Sequence, residues 1–359
     1  MSKQIKTTRR LFVKGMTGSA VLLSAPAIWT GAARAQDNRL IVGGSGGAID
    51  DAYTQAYYKP YFEETGVEVI PVERRENPLA EVRAVVETQT YKWDFCEGIA
   101  HDVAATLAED GYLEPLDLTG PAEEVMPSMK SETFVSGTSA AFILAYNSKH
   151  FDKKMTYADF WDVEGHPGRR GLRQSARETV SIALVADGVP PEEVSTVLQE
   201  EAGWERAFAK LDEIRDDIDV WWASSAQTPT LLQTGEVDLI TTFNGRAQNV
   251  IDAGAPVAIT WDGSFYNNYG WVIPSGSPKA DQIRDFIKFC CRADRQAAAA
   301  EIYGTGPSNP NAIALVDPER AKVLPTHPDN IRNMALLDFG FWGPRQEEAT
   351  MRFNEWLQG

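Results

Sequence analysis

The sequence has little cysteine: Cys96, Cys290 and Cys291 are the three thiols in 359 residues. Two of them are adjacent, so they offer neither a disulfide framework nor a zinc-ligand spacing. Cys290 and Cys291 fall in a helical pattern and read as small apolar core residues rather than a vicinal bridge. Histidine is scarce too. His101, His150, His166 and His327 are the four available, which leaves few partners for a nucleophile that needs a base.

Positive charge is the next deficit. Against 51 Asp and Glu there are 34 Lys and Arg, for a net charge of −17; residues 1–35 hold six of the basic residues and no acid, so the rest of the chain carries −17 − 6 = −23. A body this acidic lacks the electrostatic footprint for nucleic acid or an anionic membrane. Beyond residue 35 no apolar run is long enough to span a bilayer. A Gly/Ser/Pro linker, an internal repeat and a low-complexity segment are also missing.

What is present begins with Thr8-Arg9-Arg10-Leu11-Phe12-Val13-Lys14, followed by the apolar, small-residue stretch Gly15 to Ala33 and a small-x-small site, Ala33-Arg34-Ala35. This is the pattern of a twin-arginine signal peptide over residues 1–35, and it predicts export of an already folded protein to the periplasm. Such a protein needs no disulfides, in agreement with the few cysteines. The remaining ~320 residues suffice for two core-bearing lobes.

Arg39 to Gly43 reads as a short strand, then Gly44-Ser45-Gly46-Gly47, then a helix through Asp51 to Thr65. Strand, glycine loop and helix open an α/β domain. The pattern continues with a strand at Val67 to Val72, a helix over Pro78 to Thr90, a strand at Trp93 to Cys96 and a helix from Asp102 to Asp110. A second run holds Ala140 to Tyr146, helices at Glu178 to Asp187, Pro191 to Leu198 and Trp204 to Asp216, and strands at Val220 to Trp222 and Val237 to Thr242. Val257 to Trp261 and Gly270 to Pro274 read as separate strands, Lys279 toward Tyr303 as one long helix, and Glu347 to Leu357 as a helical tail. The alternation predicts mainly parallel sheets flanked by helices.

In order along the chain stand Phe62-Glu63-Glu64-Thr65-Gly66-Val67-Glu68-Val69, Phe160-Trp161-Asp162-Val163 with Pro167-Gly168, and Ala176-Arg177-Glu178-Thr179. Gly235-Glu236-Val237-Asp238, Phe243-Asn244-Gly245-Arg246, Trp271-Val272-Ile273-Pro274, and Tyr303-Gly304 through Pro307-Ser308-Asn309-Pro310 follow. This ordered set resembles the type II extracellular solute-binding proteins of ABC importers, in the branch that includes the spermidine/putrescine-binding proteins. The resemblance implies a two-lobed α/β fold with the ligand in the interlobe cleft and hinge closure on binding. It assigns residues 36–135 plus 265–310 to lobe 1 and 136–264 plus 311–359 to lobe 2. It also implies a monomer that binds a small organic ligand, uses permease and ATPase subunits as partners, performs no catalysis, and needs neither cofactor nor metal.

Carried onto this sequence, the resemblance places the first glycine loop with Ser45 and Gly46, the Arg177-Glu178 segment, the Phe243-Asn244 turn with Arg246, and Tyr266 and Tyr269 before Trp271 around the cleft. Trp222, Phe243, Tyr266, Tyr269 and Tyr303 are aromatic candidates, because ring faces attract an ammonium. Glu178 is the first candidate for an amine contact, since a desolvated ammonium needs an opposing charge. Ser175, however, stands where polyamine binders tend to carry Asp, Tyr269 replaces a second expected Asp, and Asn267 stands where an aromatic is common. Glu97 is a substitute acid, while Arg177 and Arg246 are possible forks for a carboxylate. One amine contact and one arginine contact suit a zwitterion or amino-acid derivative, within an expected class of amine-bearing ligands that is polyamine-like or zwitterionic.

Two other readings follow from the residues. Tyr266 with Tyr269 would be a weak set of oxygens for ferric iron. Gly43-Gly44-Ser45-Gly46-Gly47 also satisfies the nucleophile-elbow pattern of a serine hydrolase, although the elbow follows the first strand and a triad is defined by geometry, not by one motif.

Overall fold

The computed structural model describes residues 38–74 and 78–359; the signal segment lies outside the described residues. Nine strands form one mixed sheet, in the order β2-β1-β3-β8-β4-β7-β5-β6 with β9 paired to β8. They are β1 (Arg39–Gly44), β2 (Glu68–Glu73), β3 (Phe95–Ala100), β4 (Val135–Asn147), β5 (Arg170–Arg173), β6 (Ile218–Trp222), β7 (Leu239–Phe243), β8 (Val257–Val272) and β9 (Met334–Leu336). Two parallel sets, β2-β1-β3 and β6-β5-β7, flank the sheet. Between them β4 and β8 run antiparallel to each other and to β7 and β3.

Those two central strands, 13 and 16 residues long, pass from one hydrophobic core into another. The first core gathers Leu40, Phe95, Trp271 and Phe286; the second gathers Phe142, Leu184, Trp204 and Phe353. Phe286 shows how tightly the first is built: its ring centroid lies 5.1 Å from Tyr61, 5.4 Å from Phe95 and 5.9 Å from Tyr58. Replacing such a ring by alanine costs about 3–5 kcal/mol.

Several elements differ from the sequence expectation. Val257 to Trp261 and Gly270 to Pro274 are not separate strands but belong to β8 and the residues just after it. Asp262-Gly263-Ser264 resembles a turn, yet Trp261 to Ser264 form a bulge opposite Ile143 while Ser264 to Tyr266 pair with β9. Gly263, at φ +76°, supplies the backbone conformation that bulge requires. The Lys279-to-Tyr303 helix is two helices, Ala280–Cys290 and Ala293–Tyr303. After the glycine loop, Gly47–Tyr53 and Lys59–Thr65 are joined by a π-helical segment, Thr54–Tyr58. All three cysteines are free and buried. No helix among the described residues is long and apolar enough to cross a membrane.

Candidate functional site

Gly44, Arg173, Trp222 and Phe243 are the last residues of β1, β5, β6 and β7. Ligands of open α/β sheets bind outside the carboxyl ends of the strands, so these ends mark the candidate cleft.

On the first-core side the glycine loop is folded around its own side chains. The Gly46 N–H donates to Asp50 Oδ1 at 3.0 Å, so that donor is already used within the loop. A Cβ on Gly44 would stand 2.6 Å from Asp50 Oδ2, which explains the need for glycine there. Ser45 Oγ accepts from Arg74 Nη2 at 3.5 Å, and the same guanidinium donates to the carbonyls of Gly43, at 3.2 Å, and Glu97.

Glu97 lies beneath this loop with 1% of its surface exposed. Tyr58, from the π-helical segment, donates its hydroxyl to Oε2, and the Asp50 carboxylate is near enough to hydrogen-bond the Glu97 carboxyl. Burial, with the nearby Asp50 carboxylate adding to it, pushes the Glu97 carboxyl up to about 8, against the opposing Tyr58 hydrogen bond and Arg74 charge. This is a carboxyl held largely neutral until a cation approaches it.

Five residues on, Asp102 stands in the helix His101–Glu109 that follows β3. It is 3% exposed, pairs through Oδ2 with Arg177 Nη1, and has no partner for Oδ1. Arg177 also donates to Glu178 Oε1, from Nη2 at 2.9 Å and Nε at 3.1 Å. Glu178 is 4% exposed, accepts from Ser175 Oγ at 2.6 Å, and forms a 2.8 Å ion pair with Arg173. Burial opposes its ionisation, but the Arg173 and Arg177 guanidiniums and the hydrogen bonds outweigh that cost and hold its carboxyl at about 2. Glu178, expected as an amine contact, is therefore already compensated. Tyr269 joins the cluster: burial pushes its phenol up to about 12, with the surrounding Arg and acidic charges partly offsetting one another.

The Arg173 guanidinium lies over two rings, 5.5 Å from the Trp222 centroid and 5.1 Å from that of Phe243. Trp222 is 1% exposed and its Nε1 has no partner in the protein. Asn244, adjacent to Phe243, is fully buried and serves the backbone: its Oδ1 accepts from the Ala141 N–H at 2.9 Å and its Nδ2 donates to the Gly304 carbonyl at 3.1 Å. Arg246 is half-buried in the helix Asn244–Asp252, and Tyr303 is the half-buried last residue of the helix Ala293–Tyr303.

Tyr266 and Tyr269 do not converge. They stand three residues apart in a regular stretch of β8, opposite Ala141 and Thr138, and so project from opposite faces of the sheet. The histidines are engaged away from Ser45. His101 is stacked between Phe134 and Phe339, His150 and His166 lie 3.4 Å from Asp238 and 3.2 Å from Asp159, and His327 caps its own turn.

Sequence reasoning missed Asp50, Tyr58, Arg74, Asp102 and Arg173. The signal available for Arg173 was its place at a strand's carboxyl end, beside two other strand-final aromatics.

The family of bacterial extracellular solute-binding proteins matches residues 56–326. A gamma-aminobutyric acid-binding protein of Pseudomonas aeruginosa is 34% identical over 328 residues, covering 90% of this chain and 92% of that protein. The spermidine/putrescine-binding periplasmic protein of Escherichia coli is 25% identical, covering 89% of this chain and 94% of its own. An ABC transporter substrate-binding protein from Bradyrhizobium japonicum superimposes with a TM-score of 0.82 at 30% identity, over 89% of this chain and 99% of its own.

Proposed function

From the premise that this chain belongs to the bacterial extracellular solute-binding protein family, we propose that it captures a small zwitterion bearing an ammonium and a carboxylate, of the γ-aminobutyrate type. The ligand is held between lobe 1 (residues 36–135 plus 265–310) and lobe 2 (residues 136–264 plus 311–359) and passed to the permease and ATPase subunits of an ABC importer. The twin-arginine segment delivers the folded, monomeric protein to the periplasm.

The observation that carries this reading is a buried carboxyl, Glu97, in the same structure as two shielded guanidiniums, Arg173 and Arg177. Glu97 is a buried carboxyl whose proton burial retains, whereas Arg173 and Arg177, paired with Glu178 and Asp102, supply the cationic end. The ammonium is assigned to Glu97 under the loop of Ser45 and Gly46. The carboxylate is assigned to Arg177, and Tyr269 and Tyr303 flank the methylene chain, with Arg246 at the margin.

A hydrolase reading finds no support, because Ser45 Oγ is engaged by Arg74 and the histidines are engaged elsewhere. An iron site finds none either, since Tyr266 and Tyr269 diverge. The protein acts by binding, not by catalysis.

Thermal unfolding of the purified protein with γ-aminobutyrate tests the reading. At a ligand concentration of about 100 times Kd, binding adds about 2.7 kcal/mol, a readily visible rise in Tm. A screen of ω-amino acids, betaines and polyamines at millimolar concentration that moves Tm for none of them contradicts it.

A further inference from the structure

Arg173, Trp222, Phe243 and Glu178 form a constellation whose chemistry is complete without a ligand. Two ring faces and a carboxylate make a socket for an organic cation. Here the cation is the chain's own: the Arg173 guanidinium stands 5.5 Å and 5.1 Å from the two ring centroids and 2.8 Å from Glu178 Oε1. The socket is assembled from three strand ends, since Arg173 closes β5, Trp222 closes β6 in register beside it, and Phe243 closes β7. The side chain of Arg173 is 13% exposed and that of Glu178 only 4% exposed, so the pair is shielded from water and from salt.

We propose that Arg173 is a resident surrogate for a ligand ammonium, and that its occupancy of this socket is the specificity determinant that turns the site away from diamines and toward amino carboxylates. The proposal rests on the zwitterion reading given above and deepens it. The charges of the local network support it: Asp102 and Glu178 face Arg173 and Arg177, two acids against two bases, which leaves no net negative charge to receive a second ammonium. A diamine inserted with one end at Glu97 would bring its other end against two guanidiniums. A carboxylate in the same place meets them as partners. Removing the Arg173 charge leaves two acids against one base and opens a socket of two rings and a carboxylate.

Titration calorimetry with γ-aminobutyrate and putrescine, on protein freed of bound ligand by unfolding and refolding, provides the test. The wild-type protein is expected to prefer γ-aminobutyrate. Arg173→Met, which keeps an apolar stem between the rings, is expected to lose at least ~10-fold in γ-aminobutyrate affinity and gain at least ~10-fold for putrescine, each equal to about 1.4 kcal/mol. Arg173→Lys keeps the charge and should keep the wild-type order. A folded Arg173→Met variant with the wild-type ratio of affinities overturns the proposal, and so does one that binds neither compound. If the wild-type protein binds neither but Arg173→Met binds putrescine, the zwitterion reading falls and the role of Arg173 stands. Should Arg173→Met not fold, Arg173→Gln, which retains a donor toward Glu178, is read by the same two titrations.

Discussion

Changing Glu97 to glutamine should remove a large part of the pH dependence of folding in the ligand-free protein. The carboxyl is 1% exposed and is raised from an ordinary 4.5 to about 8, chiefly by burial. The folded state therefore holds this proton more tightly than the unfolded chain does. The resulting stabilisation is complete below about pH 4.5 and is lost as pH rises through about 8. The interval of 8 − 4.5 = 3.5 units, at 1.36 kcal/mol per unit, sets a ceiling of about 5 kcal/mol. Between about pH 5.5 and about pH 7.5 the difference is roughly 2.5 kcal/mol. Glutamine cannot titrate and can still accept the Tyr58 hydrogen bond. Urea denaturation of both proteins at those two pH values should show the wild type losing roughly 2.5 kcal/mol more than Glu97→Gln. Two proteins whose stabilities change in parallel, within about 0.5 kcal/mol, would refute the burial argument and with it the assignment of Glu97 as a neutral acid awaiting a cation.

The remaining predictions concern the frame around the site. Asn244→Ala strands the buried Ala141 N–H and Gly304 carbonyl, so it should lower stability by about 2–4 kcal/mol in urea denaturation; a loss below ~0.5 kcal/mol would mean that those two bonds are dispensable. Gly137→Ala places a Cβ 2.2 Å from the Trp271 ring tip, where the two long strands pair. It should cost at least ~1–3 kcal/mol, and an unchanged denaturation midpoint would contradict the close approach. Cys96, Cys290 and Cys291 are all completely buried, so a thiol reagent should label none of them in the native protein and all three after denaturation. Fast native labelling of any one of them would show that its burial is wrong.

The parts of this fold that were legible in the sequence are those governed by local pattern. Leu40, Ile41 and Val42 before a run of glycines announce a strand and a tight loop, and the structure places β1 and the loop there. Val237 to Thr242 likewise announced a strand, and the structure places β7 at Leu239–Phe243. Long-range pairing was less legible. Asp262-Gly263-Ser264 looks like a turn, and only β9, some 70 residues away in sequence, converts it into a bulge within a continuous strand. The π-helical segment that positions Tyr58 leaves no periodic trace over five residues. Glu178 illustrates the limit most clearly. The motif containing it was recognisable, but whether its charge was available to a ligand depended on where Arg173 and Arg177 turned their guanidiniums, a matter of rotamers and of packing against Trp222 and Phe243.

A crystal structure of the protein with γ-aminobutyrate tests the central claim most directly, because it reads both ends of the ligand at once. The account predicts one molecule between the lobes, with its ammonium within hydrogen-bond distance of Glu97 Oε1 and its carboxylate on the Arg177 and Arg173 guanidiniums. A ligand bound in the reverse orientation, or bound without contact to Glu97, would contradict it.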